Sequence, residues 1–306
     1  MALLLPAIQV IRESANLLYC KNNMKQLALG CLNYEASHKS LPPAMQFDSG
    51  EDAASSDKFR PNWVMLILPY IEQQQLQDEF DLTKFISHAD NLKPRGTRIQ
   101  AMECPTDVGH DTYYAGDSAE GDQWARGNYA ANVGHRRLND HSGGKASNAW
   151  GDKNARGVMG WNVSERISRV TRNDGASNTI MLAEIRVGVN ELDRRGTWAM
   201  GTAGASAMVW GGYGGDANGP NPCNDNSDDI EGGNSLDSEV VKRECMTVGS
   251  SSSIQATARS RHASKGVNIA LVDGSVQFIG NFIDVGDGTC CSTWDRLVAS
   301  RDGLAI

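Results

Sequence analysis

His262 and Asp273 are the first residues in this chain that suggest chemistry, an imidazole and a carboxylate at the two ends of one apolar stretch. Such a pair could share a proton or hold a metal ion. Ten residues lie between them, and an extended run of that length holds its ends up to roughly 35 Å apart. They meet only if the chain folds back between Ala263 and Gly266. The plainer reading is that Asp273-Gly274 supplies the geometry of a tight turn while His262 hydrogen-bonds locally.

A second candidate is the acidic, Asn- and Gly-rich insertion near 211–234. Asp216, Asp225, Asp228, Asp229 and Glu231, with Asn218 and Asn224, offer the oxygen ligands that Ca²⁺ takes from loops. Asp225-x-Ser227-x-Asp229 imitates the opening of an EF-hand loop, but Ile230 stands where the glycine belongs and Leu236 where the bidentate glutamate belongs. A solvated acidic loop is the competing reading. His110 sits between Asp107 and Asp111, and His135 and His141 share a loop, without helical ligand spacing. Ser177 follows Gly175 but lacks the second glycine of a nucleophile elbow. Gly143-Gly-Lys-Ala146 lacks both the upstream glycine and the Ser/Thr of a phosphate-binding loop. These residues favour a non-enzymatic protein.

There are seven cysteines, at 20, 31, 104, 223, 245, 290 and 291, with no C-x-x-C pair. In an exported protein Cys223 and Cys245 are the easiest to bridge. The odd number leaves at least one thiol free or paired between chains, and burial of several as small hydrophobes is an equal alternative. The net charge of −8, with no run of Lys and Arg, disfavours nucleic acid as a partner. A hydrophobic fraction of 40% and a charged fraction of 22% are those of an ordinary globular chain.

The element that must position these groups is the opening stretch 1–43, which divides the chain from a β-rich head over 44–306. Leu4, Ile8, Ile11, Ala15 and Leu18 fall on one helical face. Leu17, Cys20, Met24, Leu27, Cys31 and Tyr34 fall on another. The spacing predicts a helix of roughly 50 Å, ended by Leu-Pro-Pro at 41–43. The first set would carry assembly. Leu17, Met24, Leu27 and Cys31 would lock the helix to the head. The apolar first turn reads as the lower end of a longer assembly or membrane helix. Residues 63–80 predict an apolar run continuing into a helix, with Pro69 at a first turn. Ser177–Glu184 and 196–200 predict strands, and Val170–Gly175 a turn. Residues 267–272 and 275–279 predict a hairpin closed by a type I′ turn at Asp273-Gly274, and 292–300 predicts a final short helix.

Several phrases recur in a known order. They are Leu3-Leu-Leu-Pro-Ala-Ile-Gln9 with Arg12-Glu13, Cys20-Lys-Asn-Asn-Met-Lys-Gln26, Pro42-Pro43, Leu68-Pro-Tyr-Ile-Glu72 and Cys104-Pro-Thr-Asp107. After them come Asn128-Tyr129, Asp174-Gly-Ala-Ser-Asn-Thr179 with Glu184, Arg261-His262, Asp273-Gly274 and Trp294-Asp-Arg-Leu297. In this the chain resembles the planctomycete prepilin-like proteins of unknown function marked by a late H-x9-DG motif; the spacing here is ten. The resemblance implies an α+β, pilin-like fold, with a long N-terminal helix packed on an antiparallel sheet head. It implies prepilin processing, export to the cell envelope or surface, and contact with the inner membrane through the N-terminal helix. The partners it implies are copies of the chain or other pilin-like subunits. It brings no known activity and no certain cofactor. The competing reading is a membrane-tethered surface module binding glycan or peptide, with calcium as its candidate cofactor, through the insertion or through Trp150, Trp161, Trp210 and Tyr213.

Overall fold

The computed structural model describes residues 4–48, 58–116, 121–134, 156–209, 218–223, 227–230, 237–248, 255–286 and 291–303. For 4–7, 229–230 and 247–248 only the backbone is described. Helix α1 spans Leu4–His38. From Cys20 onward Met24, Leu27, Ala28 and Cys31 are fully buried, following the i, i+3, i+4 steps that put them on one face. Full burial of a Met or Leu side chain stabilises by about 1.5–3 kcal/mol. The helix stops where Lys39 turns left-handed (φ 63°). The Leu41–Ala44 segment is then stitched into the head by Leu41 N–H to Glu165 O and Ala44 N–H to Gly160 O.

The segment 63–80 is not one helix. It breaks into α2 (Trp63–Ile67), a 3-10 turn (Leu68–Ile71) and a short helix (Gln74–Asp78). Pro69 has no N–H to give the Met65 carbonyl, which accepts instead from Gln77 Nε2 at 3.0 Å. Glu72 then reverses the chain with φ 64°.

The head is built on a five-stranded sheet in the order β3-β1-β2-β6-β7. The strands are β1 (Tyr129–Gly134), β2 (Ile180–Glu184), β3 (Ala207–Val209), β6 (Gly266–Leu271) and β7 (Val276–Gly280); β4 (Asp229–Ile230) and β5 (Thr247–Val248) form a separate parallel pair. Neighbours are antiparallel except β1 and β3. The architecture is α+β, a long helix on a mostly antiparallel sheet.

Alternation along the strands sorts the side chains into two cores. Tyr129, Ala131, Val133, Ala270 and Val272 join the core that includes Met24, Leu27 and Cys31 of α1. Ala130, Val267, Ile269 and Leu271 join a second core closed by Trp294, Leu297 and Val298 of the last helix, Thr293–Val298. Both faces are therefore covered, and every residue of β1, β2 and β6 is buried.

Three local expectations are corrected. Residues 196–200 make a single bridge, Arg126 to Thr197, and no strand; the edge strand is Ala207–Val209. Residues 167–173 form a helix rather than leading into a turn. In the hairpin, Gly274 has φ 81°, while no positive φ falls on Asp273. A type I′ turn needs positive φ at both central residues. Gly274 N–H to Leu271 O and Leu271 N–H to Ser275 O instead fit a type I turn followed by a left-handed glycine.

Gly30 marks the closest approach of α1 to the 3-10 turn: a Cβ there would lie 2.8 Å from Ile71 Cγ2. Ala raises helix propensity by about 1 kcal/mol over Gly, but overpacking against a branched, buried side chain costs about 1–3 kcal/mol. Gly30→Ala is expected to lower stability in chemical denaturation, and a rise would show that the contact relaxes freely.

Candidate functional site

Glu184 ends β2 on the face of the sheet turned to α1 and is 1% exposed. A buried carboxylate must be supplied with donors. Its Oε2 accepts from Asn268 N–H at 2.7 Å, while Oε1 accepts from Asn268 Nδ2 at 2.7 Å and from His262 Nε2 at 3.1 Å. His262 is positioned by the turn that follows it, closed by Lys265 N–H to His262 O and by Lys265 in the left-handed region. The other ring nitrogen, Nδ1, has no hydrogen-bond partner among the described residues and faces Glu13 Oε1 of α1 at 3.5 Å, an ion-pair contact. Glu13 Oε1 also accepts from Ala263 N–H at 3.1 Å. The ring of Phe278 meets the imidazole edge-on.

Beside this pair lies a disulfide, Cys20–Cys104, joining α1 to the loop before β1. With its ends 84 positions apart in sequence, a chain-entropy account gives it about 4.5 kcal/mol of stabilisation. Cys104 Sγ is 3.9 Å from His262 Nε2. Around the disulfide, Tyr129 Oη donates to Cys20 O, Asn23 Nδ2 donates to Glu103 O, and Asn128 Oδ1 accepts from Cys104 N–H. Asn128 Nδ2 donates to Asp107 Oδ2, and Asp107 Oδ1 pairs with Arg261 at 3.0 Å. The cleft lined by Cys104, Asp107, Asn128, Glu184, Arg259 and Arg261 encloses no volume able to hold a water molecule.

His262 and Asp273 do not meet. Asp273 is exposed and caps its own turn, accepting from Ser275 N–H at 2.8 Å. Gly274 touches α1 as well: its carbonyl accepts from Lys25 Nζ at 2.7 Å, and a Cβ there would lie 2.8 Å from Leu32 Cδ1. The two ends of the motif thus flank one strand, β6, and both meet one helix, His262 through Glu13 and Gly274 through Lys25.

On α1, Ile8, Ile11 and Leu18 are 60%, 68% and 61% exposed, and Ala15 is exposed. The Leu4 side chain lies outside the described ones. Of the head-facing set, Met24, Leu27 and Cys31 are fully buried and Leu17 is half-buried. Burial pushes the Cys31 thiol well up, so it is an inert core residue. Cys223 and Cys245 form a disulfide. Among the calcium candidates, Asp216, Asp225 and Glu231 lie outside the described residues, as does the side chain of Asp229. Asp228 is corrected. It is buried against Arg259 and accepts from Thr257 N–H, so it is an internal ion-pair partner. His110 pairs with Asn128, and Trp161 is buried with its Nε1–H on Gly201 O. His135, His141, Trp150, Trp210 and Tyr213 are outside the described residues. A polar groove of about 270 Å³ runs beside α1, lined by Tyr19, Asn23, Gln26, Glu72, Gln73 and Gln100 among others. Among the described residues no helix is long and apolar enough to cross a membrane.

Sequence reasoning missed that Glu184, Cys20, Cys104, Glu13 and Asn268 gather around His262. One signal pointed there. Glu13, Cys20, Asn23, Lys25, Cys104, Asp107, Asn128, Tyr129, Glu184, Arg261, His262 and Gly274 all belong to the recurring phrases, and all lie in this clamp or its margin.

Burial alone would lower the His262 pKa, but the hydrogen bond and charge of Glu184, joined by Glu13, outweigh it and raise the value above the usual 6.5. A raised imidazole pKa gives stability that is full below the unfolded-state value and lost as pH rises through the folded-state value. The melting temperature is expected to fall across that window above pH 6.5. His262→Gln should flatten this fall, and a slope unchanged in the variant would contradict the assignment.

A profile of the SBP_bac_10 family, described as a protein of unknown function (DUF1559), matches residues 9–286. No curated protein and no solved structure matches the chain.

Proposed function

The chain belongs to that family of unknown function, and we propose that it is a non-enzymatic, pilin- or pseudopilin-like subunit exported to the cell envelope. It assembles through the first half of α1. The observation that carries this reading is the stripe Ile8, Ile11, Ala15 and Leu18, exposed on a helix whose second half is locked into the head. The steps of three, four and three residues are those of a helix–helix seam, in which apolar side chains of one helix fill holes in another. A solvated helix face has no need of that spacing, and the fitting occupant is the same stripe on a second copy.

The motif residues support the reading from the other side. Glu184, His262 and the disulfide are buried, and the partners they have among the described residues are internal. Their work is mechanical, since a helix that transmits assembly contacts must not swing on its head.

A membrane-tethered binding module has one observation in its favour, the groove lined by Tyr19 and side-chain amides, groups that suit a sugar face and its hydroxyls. A glycan array with wild type and Tyr19→Ala separates the two readings, because binding lost in the variant would favour the module.

Replacing Ile8 and Ile11 together with Asp is expected to abolish higher assemblies in electron microscopy and sedimentation while leaving the melting transition of the head in place. Oligomers unchanged by the double substitution would contradict the assembly role.

A further inference from the structure

Cys20 Sγ, Cys104 Sγ, a carboxylate oxygen of Glu184 and a ring nitrogen of His262 all lie within 4.8 Å of one another, and all four residues are buried. In the folded chain the two sulfurs are spent on each other. Opening that bond requires two electrons and two protons, as a dithiol supplies them. The dithiol becomes a cyclic disulfide and the protein gains two thiols.

We propose that Cys20, Cys104, Glu184 and His262 form, in the reduced chain, a four-donor site for a divalent cation of the zinc class. Two thiolates, one imidazole and one carboxylate are a tetrahedral zinc set. Tetrahedral bonds of about 2.0 Å to nitrogen and oxygen and 2.3 Å to sulfur place nitrogen and sulfur about 3.5 Å apart, and nitrogen and oxygen about 3.3 Å apart. In the structure His262 Nε2 is already 3.9 Å from Cys104 Sγ and 3.1 Å from Glu184 Oε1. The open bond lets the sulfurs part to the roughly 3.8 Å that a shared zinc requires.

The surroundings are also those of a metal centre. A ligating histidine characteristically offers its other N–H to a carboxylate, and ligating carboxylates are themselves hydrogen-bonded. Nδ1 of His262 is buried and faces Glu13 Oε1 at 3.5 Å, while Asn268 holds Glu184 through its N–H and its side-chain amide. Metal binding releases the two thiol protons to solvent. The same two cysteines then tie α1 to the head in either state, by a covalent bond when oxidised and through the metal when reduced.

The test uses the full chain with Cys223→Ser and Cys245→Ser, reduced with a dithiol, exchanged into thiol-free buffer, and titrated with Co²⁺ and then Zn²⁺. One Co²⁺ per chain with thiolate-to-cobalt charge-transfer and tetrahedral ligand-field bands is expected, with displacement by Zn²⁺ and no such bands in the oxidised protein. Cys20→Ser should abolish the bands, and His262→Ala should weaken binding at least tenfold. Three results would overturn the proposal: a reduced, folded chain without the bands; bands indifferent to Cys20→Ser and His262→Ala, which would place the metal on other cysteines; or a reduced chain that stays unfolded, by circular dichroism, with Zn²⁺ present.

Discussion

The carboxylate of Glu184 is the group around which the rest of the head must arrange itself. A charge buried to 1% exposure is tolerable only with donors on its oxygens. Here they come from the backbone and side chain of Asn268 on β6 and from His262 in the preceding loop. Meeting that demand draws the loop under α1 and aims His262 at Glu13. At the far end of β6 the Asp273-Gly274 turn reaches α1 again, through Lys25 and Leu32. A six-residue strand is about 20 Å long, so the helix is pinned at two well-separated points along one strand. The Cys20–Cys104 disulfide adds a covalent tie beside the first.

This arrangement divides α1 sharply. From Cys20 on, one face is core. From Ile8 through Tyr19 no residue is buried, and the apolar stripe there has no partner within the described chain. On the proposed function, a helix held at one end and bare at the other would carry contacts between subunits into the head. The residues that look most like chemistry are those that hold it. The ion pairs Asp193–Arg195 and Asp228–Arg259 extend the same pattern by pairing two buried charges each, while in Asp107–Arg261 only the carboxylate is buried.

The long helix, the β6–β7 hairpin and the closing helix could be read in the sequence, because each is a local pattern. Period 3.6 runs through Cys20, Met24, Leu27 and Cys31, period 2 through Val267, Ile269 and Leu271, and helical spacing again through Trp294, Leu297 and Val298. Elements set by distant partners could not. Ala207–Val209 is a strand only because β1 offers its edge, whereas the Thr197–Trp198 segment, with stronger β propensity, finds a bridge rather than a strand. The site was harder still. His262 finds its carboxylate 78 residues away on β2, and Cys20 its sulfur 84 residues away. Proximity in sequence pointed to Asp273 instead. The recurring phrases named nearly every member of the clamp without saying that they meet.

Hydrogen exchange along α1, followed in dilute and in concentrated protein, tests the central claim most directly. Amides of the second half, from Cys20 to the end of the helix, should be protected at both concentrations, because the clamp holds them in every subunit. On the proposed assembly, those from Ile8 to Arg12, ahead of the Glu13 contact, should exchange quickly in the dilute chain and become protected as it assembles. Equal protection of both halves at all concentrations, or exchange in the first half that assembly leaves unchanged, would contradict the division of α1 into a clamped spine and an assembly face.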